Sequence, residues 1–169
     1  LTTGVAVTTA DVTAAGTIYY TPYIGKGVSL YDGTRWRLYS FAEVSLALTA
    51  TVDKNYDVFL YDNAGTLTLE LSAAWTTDTA RADALTTQDG ISVKSGATTR
   101  RWVGMIRASA ANQTEDSKVK RLVWNKHNRV PRSLARRETS ANWTYSTATL
   151  REANGTTNIN VVAFVLGES

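Results

Sequence analysis

Apolar and polar residues alternate in short stretches along most of this chain, and turn-forming residues separate the stretches. The clearest early examples are residues 17–23 and 28–31, which are rich in β-branched and aromatic side chains. Such alternation over a few residues is typical of strands that bury one face. Asp32 and Gly33 follow directly and predict a hairpin turn, because both residues tolerate positive φ.

The segment beyond this turn has the same two-residue period. Trp36 and Leu38 occupy one set of alternate positions, and Arg35, Arg37 and Tyr39 occupy the other. Successive side chains of a strand point to opposite faces. We therefore expect Trp36 and Leu38 on a buried face and the other three residues facing water.

A second unit repeats this arrangement further along the chain. Residues 28–33 are echoed by residues 58–63, and residues 67–71 then alternate leucine with polar residues. Two related hairpins predict a meander or a sandwich rather than a long repeat array. Two interpretations of Asp32 and Asp62 stay open. Turn chemistry accounts for both residues, and a paired site formed by the two Tyr-Asp steps is the functional alternative.

Four later segments are also predicted to be strands: Ile91–Lys94, 100–108, 119–125 and 159–166. In the second of these, Trp102, Gly104 and Ile106 are spaced to share one face. The last is apolar on both faces. We expect it to be covered on both sides, either centrally in a sandwich or against a partner chain.

Only residues 75–85 favour a helix, of one or two turns, with Asp78 as a capping residue and alanines within it. The whole pattern predicts an all-β fold: an antiparallel β-sandwich or jelly roll with at most one short helix around residues 76–85. Residues 1–16 are expected to form a linker or a lead-in strand. Residues 17–169 are expected to form a single β-sandwich domain, a fragment of a larger protein.

The composition narrows the possible chemistry. The chain has 169 residues, of which 43% are hydrophobic, and this is enough for one domain with a core. It contains no cysteine, which excludes disulfides, thiolate zinc sites and cysteine nucleophiles. No apolar run approaches the roughly 18 residues that a membrane-spanning helix needs, so membrane insertion is not expected. The absence of a phosphate-loop or calcium-loop motif means that no cofactor is expected.

Catalytic groups are scarce. His127 is the single histidine, and it follows Lys126 in a basic segment, where neighbouring positive charge opposes its protonation. No Gly-x-Ser-x-Gly nucleophile elbow occurs. The closest acidic pair is Glu115 and Asp116, and adjacent residues of a strand point to opposite faces. We therefore expect a protein that is not an enzyme. A depolymerase-type hydrolase is retained as an alternative that needs two carboxyl groups facing one cleft.

A basic segment at residues 118–137 contains eight lysines and arginines and no acid. The net charge is only +3 and acidic residues flank the segment, so a subunit contact or a solvated strand face is favoured over a nucleic-acid surface. The candidate residues for a subunit interface are Arg121, Trp124, Arg129, Arg132, Arg136, Arg137, Val162, Phe164 and Leu166. The candidates for a ligand surface are Tyr39, Trp143 and Tyr145, whose rings could stack on sugars.

Several blocks, in the same order along the chain, resemble fibre and tail-associated proteins of tailed-bacteriophage virions. The blocks are LYDGTRWRLYS at 30–40, YDVFLYDN at 56–63, TTQDG at 86–90, KSGATTRR at 94–101, KRLVWN at 120–125, NRVPR at 128–132 and WTY at 143–145. The resemblance covers nearly the whole chain from about residue 17 onward.

This resemblance implies a β-rich domain on the surface of a phage particle, in a fibre, head-decoration or receptor-binding role. The expected partners are identical subunits, with a trimer favoured, and other virion proteins; a host-surface glycan is a further candidate. Cyclic symmetry closes such an assembly. The resemblance supplies no catalytic residues. A carbohydrate-binding module that uses exposed aromatic rings is the alternative from a different functional class.

Overall fold

The computed structural model describes residues 1–4, 10–127, 129–139, 142, 144 and 161–167. Within these residues the chain forms fourteen β-strands and no helix, which confirms the all-β prediction. The strands are β1 (Val12–Ala15), β2 (Thr17–Tyr20), β3 (Gly27–Tyr31), β4 (Trp36–Ser40), β5 (Val44–Ala47), β6 (Asn55–Asn63), β7 (Thr66–Leu71), β8 (Leu85–Gln88), β9 (Ile91–Lys94), β10 (Ala97–Ala110), β11 (Gln113–Asp116), β12 (Lys120–Arg121), β13 (Val123–Asn125) and β14 (Ala163–Phe164).

Ten of these strands form one large sheet, the main sheet, whose path runs β14-β12-β11-β10-β6-β7. β1 also pairs with β11, β9 and β13 pair with β10, and β8 pairs with β9. All of these pairs are antiparallel except the one between β12 and β14, which is parallel. The other four strands form two small sheets, β2–β5 and β3–β4.

The two small sheets pack on one face of the main sheet, which we call the inner face. Leu60 of β6 and Val103 of β10 are completely buried there, and they share one apolar cluster with Ile18 of β2 and Leu30 of β3. Aliphatic side chains from two layers therefore form the core of a β-sandwich-like fold. The jelly-roll connectivity stays a prediction.

The opposite face of the main sheet, the outer face, carries the alternate residues of the same strands. Asp57 and Phe59 of β6 lie there beside Trp102 and Met105 of β10, and all four are buried. Trp75, from the loop between β7 and β8, covers part of this face and is itself 5% exposed. The main sheet is thus buried on both sides, but with different chemistry on each.

A bulge in β10 changes the predicted face of its residues. Between Trp102 and Gly104 the pairing with β6 shifts register, and one extra residue in a strand inverts the alternation beyond it. Ile106 joins the core on the inner face, whereas Trp102 faces outward. The prediction that these three residues share one face is therefore wrong. Gly104 is required at the bulge, because a Cβ there would lie 2.2 Å from the carbonyl oxygen of Trp124.

The two faces of β4 are the reverse of the predicted ones. Tyr39 lies directly opposite Val28 of β3, and directly opposed residues of two strands share a face. Since Val28 belongs to the core, Tyr39 turns inward, whereas Leu38 is 76% exposed. The alternation was predicted correctly. The assignment of its buried face to Trp36 and Leu38 was wrong, because the buried partners on β3 determine it.

Residues 76–84 form a loop leading into β8, so the predicted helix is wrong. The N–H of Thr76 donates to the carbonyl of Ala80 at 3.0 Å. In an α-helix the direction is the opposite, since the later N–H donates to the earlier carbonyl. Arg81 extends from this loop to the buried Asp57. A long-range ion pair therefore competes with the local helix preference of the alanines.

The C-terminal apolar segment lies at an edge of the main sheet. Within residues 161–167 only Ala163–Phe164 forms a strand, which bonds to β12 on one side; residues 159–160 lie outside the described residues. Phe164 is 56% exposed and Leu166 is 65% exposed, while Val165 is half-buried. A central position for this segment in the sandwich is therefore wrong. Its coverage by a partner chain stays a prediction.

Candidate functional site

Five of the nine predicted interface residues lie around one groove beside β12, β13 and β14, which we call the edge groove. Its volume is about 250 Å³, and its lining includes Asp116, Arg121, Trp124, Arg129, Arg132, Leu134 and Phe164. The sequence therefore predicted five of the residues that line the groove, although it could not show that they converge.

A buried carboxylate organises the cations of the edge groove. Arg121 Nη1 donates to Asp116 Oδ1 at 2.8 Å, and Arg132 Nη1 donates to Asp116 Oδ2. The side chain of Asp116 is only 3% exposed. Charge-assisted bonds to an enclosed carboxylate hold both guanidinium groups in fixed orientations. The positive wall of the groove is therefore preorganised.

Sequence reasoning placed Asp116 outside the basic segment and missed this role. The turn between β11 and β12 folds the chain back, so that Asp116 lies directly opposite Arg121. Ser117 caps this turn, since its hydroxyl accepts from the N–H of Lys120 at 3.0 Å. Recognising a tight turn here would have made Asp116 the natural cross-strand partner of Arg121.

Trp124 connects the edge groove to the outer face of the main sheet. The guanidinium carbon of Arg129 lies 5.0 Å from the centroid of its ring, a cation–π distance. On the other side, the rings of Trp102 and Trp124 stack at 5.3 Å with an interplanar angle of 24°. A Cβ at Gly167 would lie 2.5 Å from the Trp124 ring, so the backbone of residue 167 packs closely against it.

The other predicted site residues lie elsewhere. Arg136 and Arg137 are exposed in the extended segment that follows the groove, and Val162 is 36% exposed. Trp143 and Tyr145 lie outside the described residues.

The outer face contains a buried ion pair that sequence reasoning also missed. Arg81 Nε lies 3.1 Å from Asp57 Oδ2, and Trp75 Nε1 donates to the same oxygen at 2.8 Å. Arg81 lies over two rings, 4.5 Å from the centroid of Trp75 and 5.3 Å from that of Trp102. Burial raises the pKa of Asp57, and the charge of Arg81 opposes this increase.

Arg81 also contacts the C-terminal segment. Its Nη2 atom donates to the carbonyl of Gly167. One guanidinium group therefore joins the loop before β8, the floor of the outer face and the segment that carries the exposed Phe164 and Leu166. This contact positions the apolar edge relative to the main sheet.

A second site lies at the tips of two hairpins, and we call it the tip concavity. It has a volume of about 510 Å³ and is lined by Asp32, Thr34, Arg35, Arg37, Tyr39 and Asp62. It contains Tyr39, the one ligand-surface candidate within the described residues. It also brings together Asp32 and Asp62, the pair for which the sequence left two interpretations open.

Turn chemistry accounts for one oxygen of each carboxylate. Asp32 Oδ1 accepts from the N–H groups of Thr34 and Arg35 at 2.8 and 2.9 Å, and Asp62 Oδ1 accepts from the N–H of Gly65 at 2.7 Å. The other oxygens turn to the concavity. Asp32 Oδ2 accepts from Arg37 Nε, and Asp62 Oδ2 accepts from the Tyr39 hydroxyl at 3.0 Å. Turn chemistry is thus confirmed for both residues, and a paired site at the two Tyr-Asp steps stays a prediction.

Asp32 is poorly suited to be the general acid of glycoside hydrolysis. The backbone N–H of Arg35, the side chain of Arg37 and the N–H of Thr34 lower the pKa of Asp32 to about 2. A general acid needs a raised pKa so that it still carries its proton near neutral pH. Asp32 is therefore a fixed acceptor. Asp62 also accepts two hydrogen bonds.

His127 lies after β13 and is partly exposed to solvent. Its Nε2 atom is 3.4 Å from Arg101 Nη2. Loss of solvation, with the positive charges of Arg101 and Lys126, lowers the pKa of His127 to about 4. The ring is therefore neutral at neutral pH.

The described part of the chain contains neither a metal-binding cluster nor a membrane-spanning helix. No three acidic or histidine side chains there converge closely enough to hold a metal ion, and no helix is long and apolar enough to cross a membrane. In comparisons with known proteins, no family model, curated protein or solved structure matches the chain significantly.

Proposed function

We propose that this chain is a non-catalytic structural domain on the surface of a tailed-bacteriophage virion, of the fibre or decoration type. It assembles into a homotrimer, contacts other virion proteins and takes part in host attachment. The observation that carries the proposal is the apolar edge formed by Phe164 and Leu166 beside the edge groove. The sequence blocks that resemble fibre and tail-associated proteins support it independently.

The large apolar side chains of this edge are exposed to solvent. Phe164 and Leu166 are 56% and 65% exposed, and Val161 and Val162 beside them are 49% and 36% exposed. Large apolar side chains grouped at one place mark interaction surfaces more often than isolated ones do. Among the strands of the described residues, β14 is also the last one of its sheet, and an edge strand presents unpaired backbone groups to a neighbouring chain.

The edge groove adds specificity to this apolar surface. Its guanidinium groups are already oriented by Asp116, so binding an acidic or carbonyl-rich surface costs little side-chain entropy. Aromatic residues and arginine are enriched at the centres of protein interfaces. Trp124 with Arg129 above it provides both within one groove.

Measuring the mass of the protein in solution at micromolar concentration tests the assembly. We expect a trimer for the native chain and a shift toward monomer for Leu166→Asp, because a buried unpaired carboxylate would disfavour the interface. Leu38→Asp is the matched control, since Leu38 is 76% exposed on β4, which contributes no residue to the edge groove. It should leave the mass unchanged. A native chain that is monomeric across this concentration range contradicts the proposal.

The carbohydrate-binding alternative, in the form of a flat platform of exposed rings, has less support. The ring of Tyr39 packs partly against the core. Tyr31 and Trp36, on the outward face of the β3–β4 hairpin, meet at 5.6 Å with their planes inclined by 54°, which is not coplanar. Polar groups at the hairpin tips, rather than a flat aromatic surface, are the better place to look for a ligand.

A further inference from the structure

We propose that the tip concavity binds a neutral saccharide through hydroxyl groups. The proposal depends on the surface role suggested above only for the source of the sugar, a host glycan; the chemistry of the site stands without it. Four features of the concavity carry the inference: fixed acceptors, accessible donors, balanced charge and an aromatic side chain among them.

The acceptors are fixed because each is part of a turn. Asp32 is held by the N–H groups of Thr34 and Arg35, and Asp62 is held by the N–H of Gly65. Each carboxylate has four lone-pair positions in total, and these bonds leave some of them unused. A sugar hydroxyl can donate to such a carboxylate without first reorganising it, which lowers the cost of binding.

The donors come from two arginines that are accessible to solvent. The side chain of Arg35 is 69% exposed and that of Arg37 is 52% exposed. Arg37 uses its Nε to bond Asp32, and a guanidinium carries further N–H groups on its two terminal nitrogens. A hydroxyl group both donates and accepts, so it is satisfied where carboxylate and guanidinium groups lie side by side.

The charge of the concavity argues for a neutral ligand. Its lining contains Asp32 and Asp62 against Arg35 and Arg37, and these two negative and two positive charges cancel. A strongly anionic or cationic ligand would gain attraction from one pair and repulsion from the other. A polyhydroxylated neutral molecule meets both donors and acceptors without that penalty.

Tyr39 joins the polar groups to an apolar surface. Its hydroxyl donates to Asp62, and its half-buried ring lines the concavity. A tyrosine with an apolar body and a polar tip suits a sugar, which has C–H faces as well as hydroxyl groups. The packing of this ring against the core fixes its position and adds to the preorganisation of the site.

Backbone amide resonances of the ¹⁵N-labelled full chain test the proposal. The probes are D-glucose, D-galactose and N-acetyl-D-glucosamine, with D-glucuronate and D-glucosamine as charged counterparts. We expect a neutral sugar to shift the amides of Thr34, Arg35 and Gly65, with a Kd on the order of 1 mM, a weak affinity in keeping with an open site. D-glucuronate and D-glucosamine should both bind more weakly than the neutral sugar.

Two variants test the residues themselves. Arg35→Ala removes an exposed donor and should weaken binding about tenfold, the equivalent of one charge-assisted hydrogen bond. Lys54→Ala is the matched control, since it removes an exposed cation outside both the concavity and the edge groove. It should leave the Kd unchanged. Tyr39→Phe keeps the ring and removes the hydroxyl, so it should weaken sugar binding. The amide spectrum of the free variant should remain that of a folded protein.

Several results would overturn the inference. No shift at these amides with any neutral sugar would do so, and so would preferential binding of a charged sugar or shifts confined to another surface. This outcome can be separated from failure of the assembly proposal. A monomeric chain that binds sugar would contradict only the assembly proposal. A trimer that binds no sugar would contradict only the proposed sugar site.

Discussion

The two faces of the main sheet are both buried, yet they are buried in different ways. The inner face consists of aliphatic residues such as Val58 and Leu60, which pack against side chains of the two small sheets. The outer face consists of Phe59, Trp102 and an ion pair between Asp57 and Arg81. Apolar burial on the inner face needs no specific partner atoms. The outer face requires a precise arrangement of donors and acceptors.

This difference shows how the fold combines stability with positioning. Transfer of a carboxylate from water costs free energy that an ion pair only partly offsets, and the raised pKa of Asp57 reflects that cost. In return, Arg81 fixes the loop before β8 and the carbonyl of Gly167. The inner face therefore stabilises the fold by apolar burial, and the ion pair on the outer face determines where the C-terminal edge lies.

The largest expected effect concerns the inner face. Leu60→Ala should lower the free energy of unfolding by about 4 kcal/mol, because it leaves a cavity in an enclosed core. The same substitution at Leu38, which is 76% exposed, should change it by less than about 0.5 kcal/mol. Urea denaturation of both variants measures the two values. A large loss at Leu38 would mean that Leu38, and not Tyr39, lies on the buried face of β4.

The outer face should respond almost as strongly to loss of its carboxylate. Asp57→Asn leaves Arg81 without its ion pair and should cost about 3 kcal/mol, at the low end for a broken buried pair, since Arg81 keeps its two aromatic rings and the Gly167 carbonyl. Asp53→Asn is the matched control, because the side chain of Asp53 is 77% exposed. Equal effects from both variants, measured by chemical denaturation, would remove the distinction between the two faces.

A pH dependence of stability is expected at the junction between β10 and β13. The folded-state pKa of His127 is about 4, below its ordinary value of 6.5. Between these values the unfolded chain binds a proton that the folded chain does not, so stability should fall as pH decreases from 6.5 to 4. The cations that help to lower this pKa are Arg101, Lys126 and the N-terminal ammonium group.

An NMR titration of the His127 ring should therefore give a midpoint near 4. His127→Gln should remove the corresponding part of the slope of stability against pH. A midpoint close to 6.5 would show that the ring is better solvated than its contact with Arg101 indicates.

Much of the sheet could be predicted because a strand has a local sequence pattern, the two-residue alternation of apolar and polar residues. Ile91–Lys94 was predicted with its observed bounds, and Asp32 and Asp62 were correctly interpreted as turn residues. The helix at 76–85 was predicted wrongly for the converse reason. Alanine-rich composition gives only a weak local preference for a helix. The ion pair between Arg81 and the distant carboxylate of Asp57 competes with that preference.

The candidate sites were only partly predictable. The sequence identified the arginines of the edge groove as a group, but it placed Asp116 outside them. It offered a pair of Tyr-Asp steps as an alternative, but it could not show that Arg35, Arg37 and Tyr39 surround the two carboxylates. Each of these relations depends on which strands lie side by side.

The sequence by itself determined that the chain is all-β, where most strands lie and which residues make its turns, because a two-residue period and turn chemistry act over a few neighbouring positions. Tertiary structure alone decided the buried face of β4, the inversion at Gly104, the burial of Asp57 and the convergence of Asp32 with Asp62. The physical reason is that a side chain's environment is supplied by residues distant in the chain, and alternation along one strand does not specify what packs against it.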